Sequence, residues 1–343
     1  MEKERVEEQN KLPVPLDSGI LYTVVALYYV YASPFLLGLQ LKDEANLLIS
    51  QLLFFAVPPL FLALIRHYDI KKTFRLKAPK PLEALIMLVI SPVMVISGLC
   101  AGVIALLGVK SIFGRVYLTG EVADYMSKGL LVSLLLVAVL PALCEEFLFR
   151  GMIQRGLEKL GVGWSIFLSG LLFGLFHFDF QRLAAQTLIG FIAAYAVYRT
   201  GSIVNGMILH FMNNGLLTLL TNLSLKGASG AGTQIVTDPF STSEFLELAQ
   251  MYNITLDQLL SIMAVVLGVV LVAGLLVILG LLIVLRSITH NRVETPVRIK
   301  GGAWGLLAGI PGLSLIAVVY VSLGLTLLNN DLGRQILVFM GIR

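Results

Sequence analysis

The chain has 343 residues, 57% of them hydrophobic and only 13% charged, with a mean hydropathy of +0.88. An average soluble domain carries about 25% charged residues, so a soluble globular fold is excluded and the bilayer is expected to be the outer solvent. The formal charge of +4 is too small and too dispersed for a nucleic-acid partner, and fits basic loops held on one side of a membrane.

Residues 1–17 are polar, with Pro13 and Pro15 near their end, and read as a short, frayed cytosolic tail. Runs near 20 apolar residues then mark membrane helices at about 19–41, 46–66, 83–108, 129–155, 164–178, 183–199, 202–222, 259–285 and 303–328. The first run is too long for a signal-peptide core and lacks a small-residue cleavage site, so it is expected to be retained. A spanning element must satisfy its backbone groups internally, and the alternating ten-residue pattern of a membrane barrel does not occur. The predicted fold is all-α, a polytopic transmembrane bundle of about nine membrane helices around an intramembrane active-site cavity.

The basic loops give the orientation. Arg66, Lys71, Lys72, Arg75, Lys77 and Lys80 lie between the second and third runs, and Arg286, Arg292, Arg298 and Lys300 between the eighth and ninth. Both loops are expected on the cytosolic side, with a cytosolic N-terminus and a multi-pass topology in the cell membrane. This divides the chain into the tail, a membrane core over 18–222, an extracytoplasmic loop over 223–258 and C-terminal membrane helices over 259–343. Cys100 and Cys144 have neither metal-ligand nor disulfide spacing and read as free buried thiols. His67 and His290 fall in the basic loops and read as solvated.

The fourth run ends in Cys144-Glu145-Glu146-Phe147-Leu148-Phe149-Arg150. A charged side chain at the centre of a membrane helix costs at least about 2.5–3.5 kcal/mol, and such residues are usually paired and functional. Glu146 and Arg150 are i,i+4 neighbours and can pair, while Glu145 points about 100° away. The spacing therefore separates a structural pair from a single carboxylate free to act as a general base.

Two further polar groups follow. Phe173-x-x-x-His177 is expected on the fifth helix. On the seventh, His210 and Asn214 share a face while Asn213 is turned away. Counted from Arg155, Ser165 and Ser202, residues Glu145, His177 and His210 lie about 15, 18 and 12 Å into a hydrocarbon layer about 30 Å thick. A carboxylate, two imidazoles and an amide at one level suit two chemistries. Glu145 could deprotonate a water held by His177, with His210 and Asn214 donating to the developing oxyanion, each worth about 3–4 kcal/mol. Alternatively Glu145, His177 and His210 could ligate Zn2+, although the ordinary H-E-x-x-H arrangement is absent. The stretch Gly227-Ala228-Ser229-Gly230 matches the G-x-S-G of rhomboid serine proteases, but it lies in a polar loop and opens no apolar helix.

The ordered set Glu145-Glu146-x-x-x-Arg150, Phe173-x-x-x-His177 and His210-x-x-x-Asn214 resembles the CAAX prenyl protease and bacteriocin-processing family, related to the type II CAAX prenyl endopeptidases. The resemblance covers about residues 129–222 and shows no departure at the motif positions. It implies an intramembrane endopeptidase whose cavity is reached from the cytosolic side. Glu145 is then the general base, Glu146 and Arg150 its neighbours in the motif, His177 and His210 the water and oxyanion ligands, and Asn214 an oxyanion donor. Many members are called metalloproteases, so zinc is a candidate cofactor. The implied partners are membrane lipid and a peptide or membrane-protein substrate. The competing readings are a catalytically silent adaptor or immunity-type protein on the same fold, and a transporter with a Glu/His proton relay. The transporter would require paired broken helices and repeat symmetry that the sequence lacks.

Overall fold

A computed structural model describes residues 11–116, 129–227, 238–293 and 296–342, and every regular element among them is helical. Helix α1 spans Pro15–Gly38, and α2 spans Asp43–Ile65 with a π-helical turn at Gln51–Ala56. Helix α3 is Pro81–Phe113, and α4 is Leu130–Leu160 with π segments at Leu134–Val139 and Phe147–Ile153. A short pair follows, α5 at Val162–Leu175 and α6 at Leu183–Thr200, then α7 at Ile203–Gly227. Beyond it lie α8 at Ser243–Met251, α9 at Leu256–Ile288, α10 at Gly302–Leu327 and α11 at Asp331–Phe339.

All nine apolar runs are helices, and seven of these helices are long and apolar enough to cross a membrane. Helix α5, with 14 residues, is about 21 Å long against about 30 Å of hydrocarbon. Helix α6 has 18 residues and is not among the seven. The two form an antiparallel hairpin, so the pair returns the chain to the end it left and the order of the later helices is unaffected by its depth. Helix α8, inside the segment expected to be a loop, escaped the apolar-run criterion because it is amphipathic. Ser229 of the G-x-S-G match lies outside the described residues.

Glycines set the hairpin's closeness. A Cβ on Gly170 would strike the Phe191 ring, and one on Gly174 would strike Thr187 Oγ1. On the facing helix, a Cβ on Gly190 would sit 2.8 Å from both the Cα and the carbonyl oxygen of Gly170. Membrane helices gain no hydrophobic drive from lipid, and small residues let their backbones approach closely enough for dispersion to hold them. The C-terminal helices use the same device. Gly305 and Gly312 of α10 meet Leu16 and Thr23 of α1, and Thr23 Oγ1 donates to the Ala308 carbonyl at 2.6 Å. Gly274 of α9 lies against Ser97 of α3. The outer face of α9 exposes Val265, Val269, Leu276 and Ile283, the composition a lipid-facing helix requires.

The basic loops meet at one end of the bundle. Arg292 pairs with Glu83 at 2.5 Å, the Ile299 amide donates to the Lys159 carbonyl, and Ser202 Oγ donates to the Lys77 carbonyl. Arg75 and Arg155 both bind the buried Glu158, at 2.5 and 2.8 Å. Residues 11–17 join this end and are not frayed there. Asp17 is buried, accepts from the Tyr68 hydroxyl at 2.5 Å and pairs with Arg66 at 3.2 Å. The expectation of a frayed tail failed for this part because it weighed polarity alone and not the partners that loop 66–69 supplies. His67 and His290 are exposed, and Cys100 and Cys144 are free and buried.

Substituting Gly190→Leu drives a side chain into the α5 backbone and should cost about 3 kcal/mol. The expected readout is a lower thermal midpoint of the detergent-solubilised protein, and an unchanged midpoint would refute the close hairpin.

Candidate active site

The site is assembled on α4, whose course is set by Pro141. Proline has no N–H, so in a regular helix it leaves the carbonyl four residues back without its donor. That carbonyl belongs to Val137. The helix widens just before the proline, where the Leu140 amide reaches back to the Leu135 carbonyl, an i→i−5 bond. Asn214 of α7 then donates from Nδ2 to the Val137 carbonyl at 3.0 Å. The same pattern recurs in α2: the π turn Gln51–Ala56 ends with the Val57 amide on the Leu52 carbonyl, directly before Pro58. Such π segments are frequent at functional sites, and both of these neighbour the two glutamates.

Glu145 and Glu146 sit between the π segments of α4. Arg150 Nη1 lies 2.9 Å from Glu146 Oε1, and both side chains are fully buried. The guanidinium also donates from Nη2 to the Gly190 carbonyl at 3.4 Å and stands 4.4 Å from the Phe173 ring centroid, a cation–π distance. Glu146 is closed in on its other side by α7, where a Cβ on Gly206 would strike Glu146 Oε2. His210 Nδ1 lies 3.1 Å from Glu146 Oε1. An ionised carboxylate can only accept, so Nδ1 carries the proton and Nε2 is left with a lone pair. That Nε2 faces Glu145 Oε2 at 3.9 Å, beyond direct hydrogen-bond distance. Glu146 therefore holds Arg150 and His210 together, which extends the pairing read from the spacing.

Glu145 is turned away from Arg150. Its Oε1 accepts from Gln51 Nε2 at 3.1 Å. Gln51 was missed in the sequence, although a buried amide within an apolar run is itself the signal of a functional position.

His177 stands differently from the expectation. Helix α5 ends at Leu175 with Phe176 as its cap, so His177 is on the turn beyond the helix. Its Nδ1 lies 3.0 Å from the Phe173 carbonyl, one of the end carbonyls that lack an intrahelical donor. An N–H donated there leaves Nε2 as an acceptor. The Phe173 ring links the parts, with its centroid 5.0 Å from the His177 ring and 5.6 Å from the His210 ring, edge to face in both cases.

Asn214 shares α7 with His210, and its amide is held at both ends, by the Val137 carbonyl and by Asn213 Nδ2 on its Oδ1 at 2.9 Å. Asn213 is thus bonded to Asn214 side chain to side chain, not isolated from it as helical geometry alone suggested. The structure bonds Glu146 to both Arg150 and His210, brings Glu145 to 3.9 Å from His210, and reaches His177 through Phe173 and Asn214 through α7. Among the described residues no three His, Cys, Asp or Glu side chains converge as a metal-holding group. The Glu145, His177 and His210 set expected for zinc is not drawn together in this arrangement: His210 Nε2 stands 3.9 Å from Glu145 Oε2, and His177 is linked to His210 through the Phe173 ring. Nδ1 of each histidine is held by an oxygen, which leaves each Nε2 as the nitrogen that would face a metal or a water.

Residues 127–216 match the family described as "Type II CAAX prenyl endopeptidase Rce1-like". The matched stretch runs from the start of α4 into α7 and contains all six motif residues. Comparisons with curated proteins and with solved structures find no significant match.

Removing one member of the buried pair should be costly. Arg150→Met leaves Glu146 without its cation, and a loss of about 3–5 kcal/mol is expected in denaturant titrations of the purified protein. The double substitution Glu146→Leu with Arg150→Met should recover most of that loss, and equal stability of the single and double variants would contradict the pairing.

Proposed function

We propose that this chain is a multi-pass intramembrane endopeptidase that hydrolyses a peptide bond with a water activated by Glu145; the family match over residues 127–216 is the premise. The observation that supports it most is the open approach between Glu145 Oε2 and His210 Nε2, 3.9 Å apart, with each group anchored from behind. Gln51 holds the carboxylate and Glu146 holds the imidazole.

In this reading Glu145 takes a proton from a water oriented by the free Nε2 of His177. The water oxygen bonds to the scissile carbonyl carbon and the carbonyl oxygen becomes an oxyanion. The proton passes from Glu145 to His210 Nε2, and the resulting imidazolium is stabilised by Glu146, in the manner of a buried carboxylate behind a catalytic histidine. The imidazolium N–H and the second amide N–H of Asn214 donate to the oxyanion. As the C–N bond breaks, the proton moves from His210 to the leaving amine. Arg150 touches none of the reacting atoms here; it fixes Glu146 and is a positioning residue. The substrate is a peptide or a segment of a membrane protein, reached within the lipid. The basic end of the bundle faces the cytosol of a cell membrane, with the N-terminus on that side.

Two measurements test this. Glu145→Gln keeps the Gln51 contact while removing the base, and should lower peptide cleavage about a thousandfold with expression and thermal midpoint unchanged. Cleavage surviving in that variant would overturn the role of Glu145, and is what a silent adaptor with a contaminating protease would give. Chelation should leave wild-type cleavage intact; loss of activity restored by Zn2+ would instead assign the metal chemistry to the same residues.

A further inference from the structure

A cavity of about 220 Å3 lies between α3, α6 and α7. Its walls do not include Glu145 or either site histidine, and it meets the candidate site at Asn213, the residue bonded to Asn214. Its rim carries Asp179 and Arg182, paired at 3.4 Å on the turn just past His177. The cavity is thus flanked by two motif positions, through Asn214 on one side and His177 on the other.

The α3 wall of the cavity is apolar, with Gln181, Gln186 and Asn213 among the residues of the other walls, and space is left on α3 by two glycines one turn apart. A Cβ on Gly98 would stand 3.8 Å from Ile189 Cδ1, and one on Gly102 would stand 3.8 Å from Ala185 Cβ. Both are ordinary contacts, so nothing in the helix packing demands glycine at either position. Glycine in the middle of a helix is disfavoured on backbone grounds. Two of them facing an empty volume leave room for something other than this chain. The volume is below the about 300–1,000 Å3 of pockets that enclose whole small molecules, and suits one large side chain.

We propose that this cavity receives a large apolar side chain of the substrate residue flanking the scissile bond, and that Gly98 and Gly102 set the size accepted. The proposal rests on the peptidase reading and deepens it. In that reading the scissile carbonyl lies against Asn214, so the neighbouring substrate residue is carried past Asn213 to the cavity mouth. Both glycines lie on α3, outside the stretch 127–216, whereas the α6 wall and Asn213 lie inside it. A hydrophobic pocket discriminates by size about 10–200-fold per methylene, enough to select one side chain class.

The test uses the full chain in detergent and a set of membrane peptides in which one position varies through Gly, Ala, Leu and Phe. Wild type is expected to prefer Leu or Phe beside the cut, and Gly102→Leu should reduce cleavage of those peptides at least tenfold while the Ala peptide stays within about twofold. Gly108→Leu, on the same helix with open space around its Cβ, is the control and should change nothing. Unchanged preference in Gly102→Leu, or an equal fall for every peptide, would overturn the pocket, and the first is what an occupying lipid chain would give. A second arm does not depend on cleavage. A peptide bearing photoreactive leucine, mixed with Glu145→Ala protein, should label residues 98–106 of α3 and 185–189 of α6, and label confined elsewhere refutes the proposal. Labelling there without cleavage by wild type would retain the pocket and reject the peptidase reading.

Discussion

The buried pair of Glu146 and Arg150 is the constraint on which the rest of the site depends. The idealised cost of moving one such ion from water to a medium of low dielectric is of order 20 kcal/mol, and mutual attraction offsets it only when geometry is good and further partners are present. Each neighbour supplies one of those partners. The Gly190 carbonyl, the Phe173 ring and His210 Nδ1 all lie within reach of the pair. Gly190 and Gly206 are needed for a reason beyond helix packing, since a side chain at either would displace a backbone or a carboxylate from around the pair. The tight α5–α6 hairpin and the entry of α7 are therefore conditions for keeping two charges in a dry interior. Glu145 is left as the carboxylate with no cation bound to it.

Much of this was legible in the sequence because charges in an apolar run are costly and so carry information. The i,i+4 spacing of Glu146 and Arg150 gave their pairing, and the depth count brought Glu145 and His210 to one level. What escaped has physical causes. Helix α5 stops short of His177 although apolar residues continue to Phe178, since apolarity measures affinity for lipid and not helix length. The bond from Asn214 to Val137 depends on a carbonyl freed by Pro141, and a carbonyl has no signature of its own in a sequence. Gln51 is distant in the chain and joins Glu145 only through tertiary packing. Helix α8 was hidden because an amphipathic segment of nine residues resembles a polar loop when only apolar runs are counted.

The prolines show how one residue type can build a site without touching it. Pro58 and Pro141 each end a widened turn, and each of those turns holds a group the site uses. Gln51 begins the first, and Val137 lies within the second. Neither proline is polar, and neither would appear in a search for catalytic residues. Each removes a backbone donor, and at Pro141 a side chain from another helix, Asn214, takes its place on the Val137 carbonyl.

The glycine seam between α1 and α10 has a consequence for the order in which the protein is made. Leu16 and Thr23 of α1 wait for Gly305 and Gly312, near the far end of the chain. At about 5–20 residues per second the ribosome reaches them on the order of half a minute after α1 emerges. Through that interval α1 has α4 on one side, with Ser18 Oγ on the Ile153 carbonyl at 2.9 Å, and a bare small-residue groove on the other. A nascent membrane chain in that state is open to a foreign helix. Helix α10 thus acts as a closing latch, and the α1 face is covered only once α10 has been made.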